Sequence, residues 1–415
     1  MRLTFVQMAY FSKTVVALAL LSSTAVLAAP PPTPRRMSVL VVPMDKVAEA
    51  QQVKLETYML EALGEYQGLT VKPTDELFGN PPEEEAQASL KRAETGFKES
   101  KEAFEARSYE DAERKLKATI KEFTRAASAL KTCGHLCDAV AMYAAVLQAR
   151  GEVEEAKIAI LDLQALGPTF ELDRKKYPQE FISLRATVAT GRNAQLRGNV
   201  NVKTKPNGAR IFLDGEFKGY SPIILETLPI GKHILRVERP GFKQWGTVVE
   251  VSPEETPINQ ELVATPGYKA YDSILDKLAG EALKEKGGAT MASLAKTLSI
   301  DRALVGVLKE VEGSGTEITL GLYDLKNGSR LAVKRAKIQG DEYGQLKSEL
   351  ARMVNQLMIA GDGGGEKLSK SGDPLDNKSG QEDWNEEDRG GNRNTKDKKK
   401  KGGDPLERMD GMQDW

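Results

Sequence analysis

The residues with the widest chemical reach are the scarcest in this chain. Its only cysteines, Cys133 and Cys137, lie in Lys131-Thr132-Cys133-Gly134-His135-Leu136-Cys137, and it has two histidines, His135 and His233. In an oxidising compartment so close a pair is joined readily if the chain turns at Gly134, and a local disulfide is the first expectation. Metal is a poor second reading, because zinc takes four ligands and few histidines are on offer. The Cys-x-x-Cys-His spacing of haem attachment is absent. Ser293-Leu294-Ala295-Lys296 has a Ser-x-x-Lys spacing suited to acyl transfer, but it falls in a predicted amphipathic helix without the companion signatures. No His-Glu-x-x-His, Gly-x-Ser-x-Gly or phosphate-loop pattern occurs. These absences predict a non-enzymatic protein with no catalytic residue, metal or cofactor.

Recognition is better provided for. Phe217, Tyr220, Phe242 and Trp245 fall close together in a region of short strands, where they either form an exposed face for sugar or peptide or complete a small core. His233 follows a turn at the start of a strand, a structural position. Near the carboxyl end, Asp373-Pro374-Leu375-Asp376 with Gly380, Asp383 and Trp384 recurs at identical spacing as Asp404-Pro405-Leu406-Glu407 with Gly411, Asp414 and Trp415. A Leu and a Trp repeated in a solvated tail suit a linear docking motif, since tethering raises the effective concentration of the second copy. Duplicated low-complexity sequence is the other reading. Lys396 to Lys401 is basic and Glu382 to Asp388 acidic; such runs are usually solvated, and the lysines could touch anionic envelope polymer or lipid.

With 59 Lys and Arg against 60 Asp and Glu, the chain has no global basic field, and nucleic acid is not an expected partner. Its 415 residues call for several modules. Residues 1–28 read as an export signal: Arg2 and Lys13 flank the start, Thr14 to Leu21 is apolar, and Val26-Leu27-Ala28 offers small residues for cleavage. The apolar stretch is shorter than the roughly 20 residues of a transmembrane helix, so no span is expected after cleavage, although a retained signal anchor stays open. The expected location is the periplasm, with association at the outer membrane or cell surface also open.

After a Pro-rich leader (29–36), Ser38 to Pro43 suits a buried strand, Ala48 to Tyr66 spaces its apolar residues along one helical face, and Leu69-Thr70-Val71 is a second strand. Residues 83–190 are read as a helical region, with breaks near Ser108, Gly134 and Gly151. Within it Ser108-Tyr109-Glu110-Asp111-Ala112 echoes Glu152-Val153-Glu154-Glu155-Ala156, each placing a small residue where two helices pack. Residues 198–265 switch to short strands separated by Pro206-Asn207-Gly208, Asp214-Gly215, Pro229-Ile230-Gly231 and Pro240-Gly241, the pattern of a small all-β sandwich or barrel. Residues 268–360 return to mixed structure: a helix, strands over Arg302 to Val311 and Glu317 to Asp324, a turn at Asn327-Gly328, a third strand and a last helix. Residues 361–415 are Gly-rich, charged and too poor in apolar residues to build a core.

Three resemblances follow from these motifs. Pro206-Asn207-Gly208-Ala209, Asp214-Gly215, Gly219-Tyr220-Ser221-Pro222, Leu228-Pro229-Ile230-Gly231-Lys232-His233 and Gly241-Phe242 resemble the PEGA domain in order and spacing, with Asn207 where the family usually has Glu. That resemblance implies an envelope interaction module without catalysis. The helical region resembles tetratricopeptide repeats, although Ala112 and Ala156 lie 44 positions apart and the family repeats at about 34. The β-α-β unit of residues 37–80, joined to residues 268–360, is similar to the amino-terminal domain of TolB and to curli-secretion-type envelope proteins. The expected fold is therefore multidomain α+β: a TPR-like helical-hairpin array and a small all-β PEGA-like sandwich inserted into one split α/β domain. An independent carboxyl-terminal domain is the alternative. The expected function is an envelope adaptor or scaffold binding protein partners through helical, PEGA-like and tail motifs. The rival is binding of peptidoglycan or a surface polysaccharide through the PEGA-like module.

Overall fold

The computed structural model describes residues 35–284, 287–311, 315–338 and 345–361, the side chains of 192 and 193 apart. The expected export signal, all but the last two residues of the leader, and the tail with both Asp-Pro-Leu copies lie outside the described residues.

Strand β1 (Arg35–Pro43) opens the fold, followed by helix α1 (Lys46–Leu63), β2 (Leu69–Val71) and the short α2 (Thr74–Phe78). Five helices come next: α3 (Glu84–Glu105), α4 (Tyr109–Arg125), α5 (Gly134–Ala149), α6 (Val153–Leu166) and α7 (Gln179–Thr190). Seven strands follow: β3 (Arg197–Lys205), β4 (Arg210–Leu213), β5 (Glu216–Tyr220), β6 (Ile223–Pro229), β7 (Gly231–Glu238), β8 (Trp245–Val251) and β9 (Thr256–Glu261). The chain closes with α8 (Pro266–Asp272), α9 (Leu275–Leu283), α10 (Ala289–Thr297), β10 (Arg302–Val311), β11 (Gly315–Asp324), β12 (Ser329–Ile338) and α11 (Gln345–Ala360).

The first and last segments share one sheet, in the order β12-β11-β10-β1-β2. β1 runs parallel to β10, with Val41 opposite Gly306, and β10 to β12 form an antiparallel meander. Met37, Val39 and Val41 bury one side of β1 against α1 and α11, while Leu40 and Val42 bury the other in a core shared with α9 and α10. A strand covered on both faces needs an unbroken apolar run rather than an alternating one, which is what Val39 to Val42 supply. The strand begins at Arg35, inside the expected leader, because Arg35 and Arg36 pair with Leu69 and Thr70 of β2. Asp45 caps α1 by accepting from the Ala48 amide (2.8 Å) and holds the end of β10 through the Glu310 amide (2.7 Å).

The middle strands form two sheets, β6-β3-β9 and β5-β4-β7-β8. Val200, Val202, Ile211, Leu235, Val237 and Val249 from both sheets meet in one core. This β-module is docked against its neighbours by its own turns. Gly208, at φ 78°, rests on α1, where an added Cβ would lie 2.8 Å from the Glu49 and Ala50 carbonyl oxygens, so no side chain fits there. The Asn207 amide donates to the Glu49 carboxylate (3.0 Å), and Arg210 makes two hydrogen bonds to Asp75 (2.8 and 2.6 Å). Gly246 meets the 127–128 backbone so closely that an added Cβ would lie 2.4 Å from the Ser128 nitrogen.

Beneath this interface lies a buried polar chain. The Arg239 guanidinium, 2% exposed as a residue, donates to Gln52 Oε1 (2.8 Å) and to the Asn207 carbonyl. Gln52 donates to the Val41 carbonyl (2.9 Å) and to Glu56 (3.3 Å), and Glu56 accepts the Val41 amide (2.9 Å). Burial pushes the Glu56 carboxyl from the usual 4.5 up to about 7, against the opposing pull of the Val41 amide, Gln52 and Arg239. The folded state therefore keeps this proton after the unfolded chain has released it. Its contribution is complete below pH 4.5 and is lost as pH rises to about 7. Glu56→Gln is expected to abolish that part of the slope, gaining as much as about 3 kcal/mol over the wild type between pH 4.5 and 7.5. Urea unfolding across that range is the measurement, and parallel curves would contradict the assignment.

Candidate functional site

A large concavity is built by the helices. Phe97, Lys101, Phe104 and Glu105 recur at one-face spacing on α3, and His135, Asp138, Met142 and Ala145 do the same on α5. The segment from Phe170 to Pro178 supplies a third wall, and together they enclose about 960 Å³, at the upper end of the range for ligand sites. α3 sits close to its partner because small residues line the seam: Ala93 is fully buried, and a Cβ added at Gly96 would lie 2.7 Å from Thr119 Oγ1 of α4. Ala112 and Ala156, the small residues of the echoed sequence, are both fully buried.

Aromatic rings give the cleft its firm surfaces. Phe97 stacks on His135 (centroids 4.7 Å apart, 19° between planes), whose Nδ1 lies 2.7 Å from Glu94 Oε2. Tyr177 packs between Phe104 (5.9 Å) and the fully buried Phe181 (5.4 Å). Burial pushes the Tyr177 phenol well above its ordinary range, and the charge of Asp138 adds to the effect, so it stays a neutral hydroxyl. Both signs of charge stand on the rim. Lys101 pairs with Glu105 (3.8 Å) and Lys176 with Asp173 (3.5 Å), while Arg107 and Lys175 have no ion pair among the described residues. The cleft thus offers apolar stacking surfaces and adaptable polar groups rather than a converging set of acid, base and nucleophile.

Cys133 and Cys137 are bonded to each other across the first turn of α5, with Cα atoms 5.4 Å apart. Gly167 lies against this bridge: a Cβ there would stand 2.8 and 3.0 Å from the two sulfurs. Gly167 also accepts the Phe170 amide (2.9 Å), so the bridge supports the start of the third wall.

The four aromatic residues singled out in the β-module do not share a face. Phe217, on edge strand β5, is 50% exposed and touches Phe212 and Tyr220 (5.7 and 5.3 Å). Phe242 is only 6% exposed, because the turn at Gly241 carries it into the module core against Tyr268 (4.8 Å), and half-buried Trp245 packs on the same core. Of this group only Phe217 is exposed; Phe212, with Arg236 over its ring (4.7 Å), and Tyr220 are half-buried beside it. His233 is buried and bridges two hairpins, from Nδ1 to Asp214 (2.6 Å) and from Nε2 to the Pro229 carbonyl (2.8 Å). Its burial lowers the pKa, but Asp214 and the Pro229 carbonyl outweigh that effect and raise it overall. Ser293 Oγ donates to the Thr290 carbonyl of its own helix (2.7 Å).

The sequence pattern alone did not reveal the cleft residues. Phe97 and Phe104, seven apart on one helix, were the available signal. Tyr177 falls in an irregular segment where no periodicity points to it.

A module of two small sheets punctuated by these turns belongs to the class of compact β-domains carried within longer chains. The PEGA domain family matches residues 197–266. No curated protein and no solved structure matches the chain. Among the described residues, no helix is long and apolar enough to cross a membrane.

Replacing Cys133 and Cys137 by Ser removes a bridge with a sequence separation of 4, a closure worth about 2 kcal/mol by chain entropy. The double variant is expected to unfold at lower denaturant and to exchange amide hydrogens faster over 167–172. Unchanged exchange there would show that the bridge does not support the wall.

Proposed function

We propose that the protein is a non-enzymatic adaptor of the bacterial cell envelope that holds a protein partner in the cleft between α3, α5 and the 170–178 segment. The cleft itself carries the reading: about 960 Å³, aromatic platforms on two walls, and two rim cations, Arg107 and Lys175, without an ion pair among the described residues. Tetratricopeptide-like hairpins commonly present such a surface to peptide, and the PEGA match and the TolB-like and curli-secretion-like order of elements favour an exported protein. The two tail copies would recruit a further component. Fold alone does not assign function, so the claim rests on the cleft.

The PEGA-like module supports this reading by position. Its characteristic turns bear on α1 and the helices rather than on solvent, which makes it a spacer fixing the cleft relative to the split sheet. A second reading keeps one observation of its own: exposed Phe217, flanked by half-buried Phe212 and Tyr220, offers an aromatic ring that could stack on a sugar, so polysaccharide binding would fall there.

A photo-crosslinking amino acid placed at Lys101 or Lys176 in the native host is expected to trap one protein of discrete mass. The same probe at Phe217 is expected to trap none. Crosslinking only from Phe217, or capture of polydisperse polysaccharide in place of a protein, would overturn the cleft assignment in favour of the second reading.

A further inference from the structure

β12 is the outer strand of the five-stranded sheet, paired with β11 on one side and with no strand on the other among the described residues. Five successive residues, Val333 to Lys337, are exposed. Beside it, α11 leaves a groove of about 290 Å³. The groove has an apolar floor of Ile318, Ile338, Leu346, Leu350 and Met353 and a basic rim of Lys334, Arg335, Lys337 and Arg352. No hydrogen bond or ion pair engages these four cations among the described residues, although most exposed cations on α3 and α4 are paired. Glu349 is the single carboxylate on the lining.

Three features coincide: an unpaired row of backbone donors and acceptors, an apolar trough beside it, and uncompensated positive charge along both. Lysines on an edge strand repel a second edge of like charge, including that of another copy of this chain. They do not repel a strand of opposite charge, and cross-strand pairs of opposite sign stabilise. A small anion would use the cations but neither the trough nor the backbone row.

We propose that β12 and its groove bind an extended peptide of alternating apolar and acidic residues, which adds to the sheet as a sixth strand. Its backbone pairs with the open side of β12, its apolar side chains enter the trough beneath α11 between Lys334 and Arg352, and its carboxylates, on the opposite face of the strand, meet Arg335 and Lys337. The site is separate in sequence and structure from the α3–α5 cleft and stands without it.

The test uses the full chain and a fluorescent, end-blocked decapeptide of alternating Val and Glu, read by anisotropy. The peptide is expected to bind, and a Val-Lys counterpart is not. The triple variant Lys334→Glu, Arg335→Glu, Lys337→Glu is expected to lose the Val-Glu peptide at least tenfold and to gain the Val-Lys one, a reversal that a misfolded variant would not show. N-methylation of alternate peptide amides, made in both frames, is expected to cost at least tenfold in one frame or more. Failure of the Val-Glu peptide to bind, absence of the reversal, or full affinity in both N-methylated frames would overturn the proposal. So would equal occupancy of the site by inorganic polyphosphate.

Discussion

Arg239 is a charge removed from water at the meeting point of two modules, and nothing about that position is favourable unless its hydrogen bonds are met. Its partners come from both sides: the Asn207 carbonyl from the β-module and Gln52 from α1. Gln52 and Glu56 then continue the chain to the backbone of β1, the strand that joins the halves of the split sheet. Separating the module from the sheet would leave the Arg239 guanidinium short of one acceptor and Gln52 Oε1 without its donor. The polar chain therefore fixes one geometry, whereas apolar contact alone would tolerate sliding.

The rest of the arrangement follows from that fixed geometry. With the β-module held on α1, Gly246 comes to lie on the 127–128 backbone and Lys232 reaches Asp162 of α6 (2.6 Å). Ile234 of β7 enters the helical core. The helices are thereby set against the split sheet through the β-module. Inside the helical region, the disulfide and Gly167 hold the wall that carries Phe170 and Tyr177. The cleft on α3 and α5 then has a defined direction relative to the edge at β12, the geometry that the proposed adaptor role requires.

What was legible in the sequence depended on repetition. The unbroken run at Val39 to Val42, the helical spacing from Ala48 and the turns Asp214-Gly215 and Asn327-Gly328 each announce an element through a local rule, and those elements are present. The pairing of β1 with β10 joins residues more than 260 positions apart, and only the order of elements pointed to it. Contacts made by single residues were not legible. Gln52 and Glu56 look like ordinary surface residues of an amphipathic helix until Arg239 arrives from another module. Phe242 looked as available as Phe217 because strand alternation does not say which turn folds inward. Tyr177, in a segment without period, had no local signal at all.

The central claim is that the β-module is locked to the split sheet by the Arg239 chain and acts as a spacer rather than a freely presented bead. Hydrogen exchange of Arg239→Met, compared with the wild type, tests it most directly. The account predicts faster exchange appearing together in α1, in the 206–209 turn and in the 79–82 segment, with β4, β7 and β8 still protected. Faster exchange confined to the residues beside position 239 would contradict it.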